Sequence, residues 1–136
     1  MYGEELGDVS SVSFYFYMNK GKEIHYSGNI PEDYSVNGNI FKKLLGKLRE
    51  SIRALWNEFK SADEAIWYTI TFTWENNWKF KVEFGYELDK EIGSFEREII
   101  WAYNESGLIP KGEFAKDILN DLLIKKINSP KNSLIM

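Results

Sequence analysis

The fold of this chain is decided by residues 66–86, which read IWYTITFTWENNWKFKVEFGY. Apolar and polar side chains alternate along both halves of this stretch, on either side of Asn76 and Asn77. Alternation is typical of a strand with one buried face, and a pair of such strands joined by a short loop predicts a β-hairpin. We expect the rest of the chain to pack around this hairpin.

The length of the hairpin loop follows from matching the apolar faces of its strands. A loop made of Asn76 and Asn77 alone would set each apolar face beside a polar one, because successive side chains point in opposite directions. The loop therefore needs an odd number of residues. Loop 75–77 satisfies this with Asn77 in the left-handed conformation, whereas loop 76–78 would impose that strained conformation on Trp78. We expect loop 75–77, and loop 76–78 stays open as the alternative.

The matched faces also predict which hairpin side chains are buried. The apolar set, expected on the buried face, comprises Tyr68, Ile70, Phe72, Phe80, Val82 and Phe84. The polar set, expected on the opposite face, comprises Thr69, Thr71, Lys79 and Lys81. Trp67 and Trp74 are large aromatics on the first strand, and such residues can anchor an interface or lie under a terminal helix.

The residues before the hairpin predict a strand pair and a helix. Val12 to Met18 alternate as a strand, a turn follows, and a second strand covers residues 23–28. Residues 29–38 are expected to form a loop. Apolar residues at steps of three and four from Ile40 to Phe59 predict an amphipathic helix, with Asn37 or Asn39 as its N-cap.

The residues after the hairpin predict a pair of helices. One runs from Phe95 to about Asn104 with Ser94 as N-cap, Gly107 ends it, and Pro110 opens the next. Their expected core-facing residues are Phe95, Ile99 and Tyr103, then Phe114, Ile118, Leu122 and Ile127. The predicted order is β-β-α-β-β-α-α, an α+β two-layer sandwich with an antiparallel sheet of about four strands and helices on one face. We expect one domain over residues 1–127 and a mobile tail over 128–136.

Composition limits the function classes. The chain has 136 residues, 43% hydrophobic residues, no cysteine and a formal net charge of -4. The absence of cysteine excludes disulfides and thiolate metal sites and fits a reducing compartment. An acidic chain disfavours direct nucleic-acid binding, and no signal segment or membrane span is visible. These features predict a cytoplasmic protein without a membrane partner.

The sequence offers little catalytic chemistry. His25 is the only histidine, and its neighbours Glu23 and Tyr26 favour a surface residue over a catalyst. Glu58 and Lys60 have the spacing of a magnesium-nuclease element but lie on a predicted helix, and the carboxylates after the hairpin favour a solvated surface over a metal site. We expect no enzyme activity, no metal and no cofactor.

Several motifs carry a family resemblance. Residues 71–73 (TFT), 79–82 (KFKV), 96–103 (EREIIWAY) and 107–110 (GLIP) resemble the YezG-type antitoxin family, immunity proteins paired with LXG-class polymorphic toxins. Weaker similarity covers Phe14 to Tyr17 and the Ile40 to Phe59 helix. The resemblance implies a protein that binds and neutralises the C-terminal toxic domain, a nuclease, of a cognate LXG toxin. The alternatives are a non-catalytic scaffold or regulator and a metal-dependent nuclease.

The resemblance also implies a departure at the N-terminus. Family members begin with an amphipathic helix before the first strand, and Met1 and Tyr2 stand where that helix ends. A shortened member of this kind would expose apolar surface, which favours a homodimer and suggests a degenerate paralogue.

The partner contacts are expected on the acidic connection after the hairpin, with Trp67 as an aromatic anchor. The connection combines dense negative charge with a loop whose conformation the core does not dictate; its carboxylates are Glu83, Glu87, Asp89 and Glu91. The basic helix surface around Arg49 and Arg53 is the next candidate. Arg97 is interpreted as an ion-pair partner that fixes its helix, with toxin contact as the alternative.

Overall fold

A computed structural model of the chain describes residues 1–128. The contacts group the chain into two compact units, residues 1–88 and the residues from Asp89 onward, and each is treated by itself. The predicted mobile tail lies outside the described residues except for Asn128. The single domain, and the cover of the sheet by the C-terminal helices, stay predictions.

The first unit contains all the strands in the described part of the chain and two of its helices. In chain order these are β1 (Tyr2–Glu5), β2 (Ser10–Ser13), β3 (Tyr15–Met18), β4 (Glu23–Tyr26), a 3-10 turn (Ser27–Asn29), α1 (Ile30–Asp33), α2 (Gly38–Ser61), β5 (Thr69–Trp74) and β6 (Phe80–Gly85). The second unit contains α3 (Ser94–Ser106) and α4 (Glu113–Ile127). None of these helices is long and apolar enough to cross a membrane.

The α+β class and a four-stranded antiparallel sheet are confirmed, but the members of the sheet differ from the prediction. The strands follow the order β2-β1-β5-β6, while β3 and β4 form a separate two-stranded sheet. The predicted strand from Val12 to Met18 is broken at Phe14, whose N–H donates to the Ser27 hydroxyl at 3.1 Å and whose carbonyl accepts from Ser27 N at 2.9 Å. These bonds satisfy the Phe14 backbone away from the sheet and turn the chain into the second hairpin.

An unpredicted strand, β1, occupies a central position in the sheet. Gly3 lies between Val12 and Ile70 in the register. A Cβ on Gly3 would lie 3.1 Å from Ile70 Cγ2 and 3.2 Å from Ile52 Cδ1. A residue without a side chain therefore lets α2 approach the middle of the sheet.

The predicted long helix is confirmed and extends from Gly38 to Ser61. Asn37 is its N-cap, because its Oδ1 accepts from Asn39 N at 2.9 Å and Ile40 N at 3.2 Å. The buried core of the unit combines Ile52 of this helix with Trp67 and Ile70. Side chains packed around that core are Met1, Val12, Leu48, Trp56, Phe59 and Phe84.

The central hairpin has the predicted matching of apolar faces and the less favoured loop. Ile70 pairs with Phe84 and Phe72 with Val82. The Glu75 N–H donates to the Lys79 carbonyl at 2.9 Å, so the loop is 76–78, and Trp78 has φ 66. The prediction of loop 75–77 was wrong. The observed register still pairs apolar with apolar side chains. Its loop places Trp78 in the strained left-handed conformation.

The burial prediction holds only at the base of the hairpin. Ile70 is 4% exposed, whereas Phe80 is 67% and Val82 38% exposed. The prediction that Phe80 and Val82 are buried was therefore wrong. In this unit the core lies where Ile52 and Phe59 of α2 meet Trp67, Ile70 and Phe84, at the end of the hairpin away from its loop.

In the second unit, both predicted helices are present, but their first residues and their buried side chains differ from the prediction. Gly107 ends α3 with φ 71, as predicted, but α4 begins at Glu113 rather than Pro110, and Gly93 rather than Ser94 is the N-cap of α3. The buried residues of this unit, as far as Asn128, are Ile99, Ala102 and Leu119. Three residues expected in the core are exposed: Phe95, Phe114 and Ile127.

Candidate partner-binding site

The far end of the β5–β6 hairpin carries a cluster of apolar side chains, four exposed and one half-buried (Phe72), that we call the hairpin aromatic surface. Its members are Phe72, Trp74, Trp78, Phe80 and Val82. Trp74 is 62% and Trp78 80% exposed. Large aromatics exposed together on one element are typical of contact surfaces rather than of ordinary solvent-facing strands.

The rings of this surface contact one another. Phe72 stacks on Phe80 with ring centroids 5.7 Å apart and an interplanar angle of 17°. Trp74 lies 6.1 Å from Phe72 and 5.8 Å from Trp78 by the same measure. Because these contacts restrict the side chains before any partner arrives, binding would lose less conformational entropy here than at isolated aromatics.

Two of the predicted partner-binding carboxylates, Glu83 and Glu87, belong to the first unit and are exposed. Glu83 is not in a loop: it lies on β6 and forms an ion pair with Lys81 of the same strand. Glu87 follows the end of β6. The first unit therefore carries two of these acidic groups as well as the hairpin aromatic surface.

The other two predicted carboxylates, Asp89 and Glu91, are exposed in the second unit. Asp89 Oδ1 accepts from the Glu91 N–H at 3.0 Å. Arg97 Nη1 donates to the Asp89 carbonyl at 2.8 Å and also to the Ile92 carbonyl. These bonds hold the backbone of the connection, and they give Arg97 a structural role.

Trp67, the predicted aromatic anchor, lies in the core. Its side chain is 0% exposed and its ring centroid lies 6.2 Å from that of Phe59 and 5.2 Å from that of Phe84. Its carbonyl accepts from Trp56 Nε1 at 3.1 Å. A partner cannot reach this side chain without opening the core, so its placement points to a packing role.

Arg53, part of the basic helix surface, is engaged with Glu5. Arg53 Nη2 lies 3.0 Å from Glu5 Oε1, and the Glu5 side chain is fully buried. The hydrogen bond and the charge of Glu5 raise the pKa of Arg53, so the guanidinium stays charged. Arg49, the other arginine of the basic helix surface, is exposed.

The remaining candidate groups do not assemble into a site. His25 is half-buried, with Nε2 3.3 Å from Glu23 Oε2 and its ring stacked on Phe16 at 5.2 Å. Across residues 1–128, no group of three or more histidine, aspartate or glutamate side chains is arranged to hold a metal ion.

Sequence reasoning considered Trp74 as an anchor but assigned Phe80 to the core and placed Trp78 at the start of the second strand. The available signal was the distance along the chain: these aromatics flank the Asn76-Asn77 turn, at the end of the hairpin far from the rest of the unit. Alternation shows which face a side chain occupies but not whether another element covers it.

Comparison with known proteins identifies relatives over most of the chain. A family model described as immunity protein YezG-like matches residues 1–120. The chain is 33% identical to immunity protein YezG of Bacillus spizizenii (strain ATCC 23059 / NRRL B-14472 / W23) over 125 residues, which cover 90% of this chain and 78% of the relative. It is also 33% identical to immunity protein YezG of Bacillus subtilis (strain 168) over 121 residues, covering 88% and 80%. It is 27% identical to the type VII secretion system protein EsaG of Staphylococcus aureus (strain NCTC 8325 / PS 47) over 112 residues, covering 80% and 69%.

Proposed function

The chain belongs to the YezG-like immunity protein family, and on this premise we propose that it binds and neutralises the C-terminal toxic domain of a cognate LXG-type toxin, a nuclease, in the cytoplasm. The observation that carries the proposal is the family match over residues 1–120, which includes the hairpin, α2 and α3. Neutralisation proceeds by occlusion and requires no catalysis by the immunity protein.

We place the main contact on the hairpin aromatic surface and assign electrostatic steering to the acidic connection that follows β6 in the sequence. A nuclease surface that binds phosphates is basic, and the net charge of this chain is -4. Opposite charges accelerate encounter between the proteins, while desolvated aromatics supply most of the affinity. Trp74 and Trp78 also offer ring faces on which arginine side chains of the toxin can stack.

The direct test uses the C-terminal toxic domain of a candidate cognate LXG-type toxin. Producing that domain in cells should stop growth, and co-producing this chain should restore it. In solution, one equivalent of the chain should form a stable complex with the purified domain and suppress its nuclease activity. If the chain neither binds nor protects against the domain, the proposal is wrong.

The location of the contact is tested by a matched pair of aromatic variants. Trp74→Ala removes a 62% exposed ring from the hairpin aromatic surface, and Tyr17→Ala removes a 57% exposed ring from the separate β3–β4 sheet. Loss of an interface hot spot weakens binding by about 30-fold or more. We expect this loss in calorimetric titration for Trp74→Ala only, and equal affinities for both variants would move the contact elsewhere.

The role of the acidic groups is tested by charge reversal. Glu87→Lys with Glu91→Lys leaves the Asp89 side chain that accepts from the connection backbone. The double variant should slow association with the toxic domain and reduce its salt dependence, at little cost in melting temperature. The control reverses two exposed carboxylates of α2, Glu50 and Glu58, to lysine. Unchanged association kinetics in the first variant would exclude this connection from steering.

A further inference from the structure

Strand β6 forms one edge of the main sheet. It pairs with β5 on one side, and no described strand pairs with it on the other. It runs from Phe80 to Gly85, and its first four residues are exposed. An open edge of this kind presents backbone donors and acceptors to another strand.

The hydrogen bonds of β5 identify the outward-facing groups on β6. The Phe72 N–H donates to the Met1 carbonyl at 2.9 Å and its carbonyl accepts from Met1 N at 2.8 Å, so both Phe72 groups face β1. Phe72 and Val82 are therefore a non-hydrogen-bonded pair, and the N–H and C=O of Val82 point away from β5. By alternation, the backbone groups of Phe80 and Phe84 also point outward.

We propose that a second copy of this chain pairs antiparallel along this edge, about a two-fold axis at Val82. Val82 then exchanges both backbone hydrogen bonds with Val82 of the second copy, and Phe80 does so with Phe84. On the other face of the strand, the same register sets Lys81 opposite Glu83 of the second copy. The sheets of the two copies become continuous.

The charges select a second copy over an unrelated strand. Lysine on an edge strand normally discourages pairing with other chains. With the axis at Val82, Lys81 of each copy lies opposite Glu83 of the other copy. Each lysine therefore faces a carboxylate. Lys81 already pairs with Glu83 of its own strand, and the second copy adds a further opposite charge to both. The edge is thus complementary to itself.

The apolar side of the strand supports the same register. Phe80 is 67% and Val82 38% exposed, and pairing would bury both beside apolar residues of the second copy. If the register continues beyond the strand, Tyr86, which is 50% exposed, lies opposite Trp78 in the hairpin loop of the second copy. The pairing needs no toxin, so it is tested on the chain alone, and its failure would leave the proposed function standing.

The two-fold axis is tested by cysteine crosslinking, because the chain has no cysteine of its own. Residues across a hydrogen-bonded antiparallel pair have Cα atoms about 5.5 Å apart, which a disulfide spans. Under mild oxidation with diamide, Val82→Cys should form a disulfide-linked dimer within minutes on a non-reducing gel. Met18→Cys, at a similarly exposed strand position of the separate sheet, should not. Equal crosslinking of the two variants, or none for Val82→Cys, overturns the proposal.

The charge pairing is tested by sedimentation equilibrium of the full chain. Lys81→Glu sets like charges opposite each other at both symmetric positions and should weaken the dimer about tenfold. Adding Glu83→Lys should restore it, while Lys42→Glu, an equal charge change on exposed α2, should leave it unchanged. Circular dichroism checks that each variant is folded. A wild-type chain that is monomeric at all concentrations, or a double variant no tighter than the single one, overturns the proposal.

Discussion

Arg53 of α2 binds the buried carboxylate of Glu5 through two side-chain nitrogens, with Nε 3.3 Å from Oε2 and Nη2 3.0 Å from Oε1. Arg53 Nη2 also donates to the Gly7 carbonyl at 3.3 Å. The fork of the guanidinium thus joins the long helix to the end of the central strand. A carboxylate that is fully buried requires such a partner, because its own desolvation is costly.

Removing this partner should destabilise the protein. Arg53→Ala leaves the charge of Glu5 buried without its guanidinium, so we expect a fall of several degrees in the melting temperature. Arg53→Lys should lie between that variant and wild type, because lysine keeps the charge but lacks the planar fork. Thermal denaturation followed by circular dichroism measures both. The control is Arg49→Ala on the exposed side of the helix, and equal melting temperatures for the two alanine variants would contradict this role of the ion pair.

The tryptophans of the hairpin strand should differ sharply in their effect on stability. Trp67 is 0% and Trp74 62% exposed. Trp67→Ala should lower the free energy of unfolding by about 3–5 kcal/mol, since it leaves a cavity in the core. Trp74→Ala should cost less than about 1.5 kcal/mol, because it loses only ring contacts at the surface. Urea denaturation compares them, and similar midpoints would place Trp67 outside the core.

The elements that sequence patterns predicted well are those with local, repeated signals. The apolar repeat from Ile40 to Phe59 and the alternation about Asn76-Asn77 each extend over several periods, so they identify α2 and the matching of the apolar faces in the hairpin, although not its loop. Gly107 likewise marks a helix end by a property of the residue itself, since it adopts a left-handed φ of 71.

The elements that were missed depend on distant contacts. In β1, Glu4 and Glu5 are buried charged residues, a composition that argues against an internal strand. Arg53, 48 residues away, compensates Glu5, and no local pattern reveals it. The exposure of Phe80 has the same origin: its strand face was predicted, but its lack of cover depends on how far α2 reaches along the sheet.

The N-cap of α2 should contribute measurably to stability. Asn37→Ala removes the side-chain acceptor of the Asn39 and Ile40 amides, and loss of such a cap costs about 1 kcal/mol. Asn37→Asp should retain most of that stability, because aspartate is an equally good cap. Asn39→Ala, two residues further along in the first turn of α2, is the control in the same urea titration. A midpoint for Asn37→Ala that equals the control would show that the cap is energetically neutral.

The strain at Trp78 should reverse the usual order of alanine and glycine. Trp78 has φ 66, a conformation that costs a residue with a Cβ about 1–2 kcal/mol and glycine almost nothing. Trp78→Gly should therefore be more stable than Trp78→Ala by about 1 kcal/mol in urea denaturation. Glycine at the exposed helical position of Lys42 should instead be less stable than alanine there. If alanine were the more stable residue at both positions, the hairpin would not use the 76–78 loop.

Strain kept at an 80% exposed tryptophan suggests that its ring serves binding. Trp78→Gly should therefore be more stable than Trp78→Ala, and yet both variants should lose toxin affinity to the same extent.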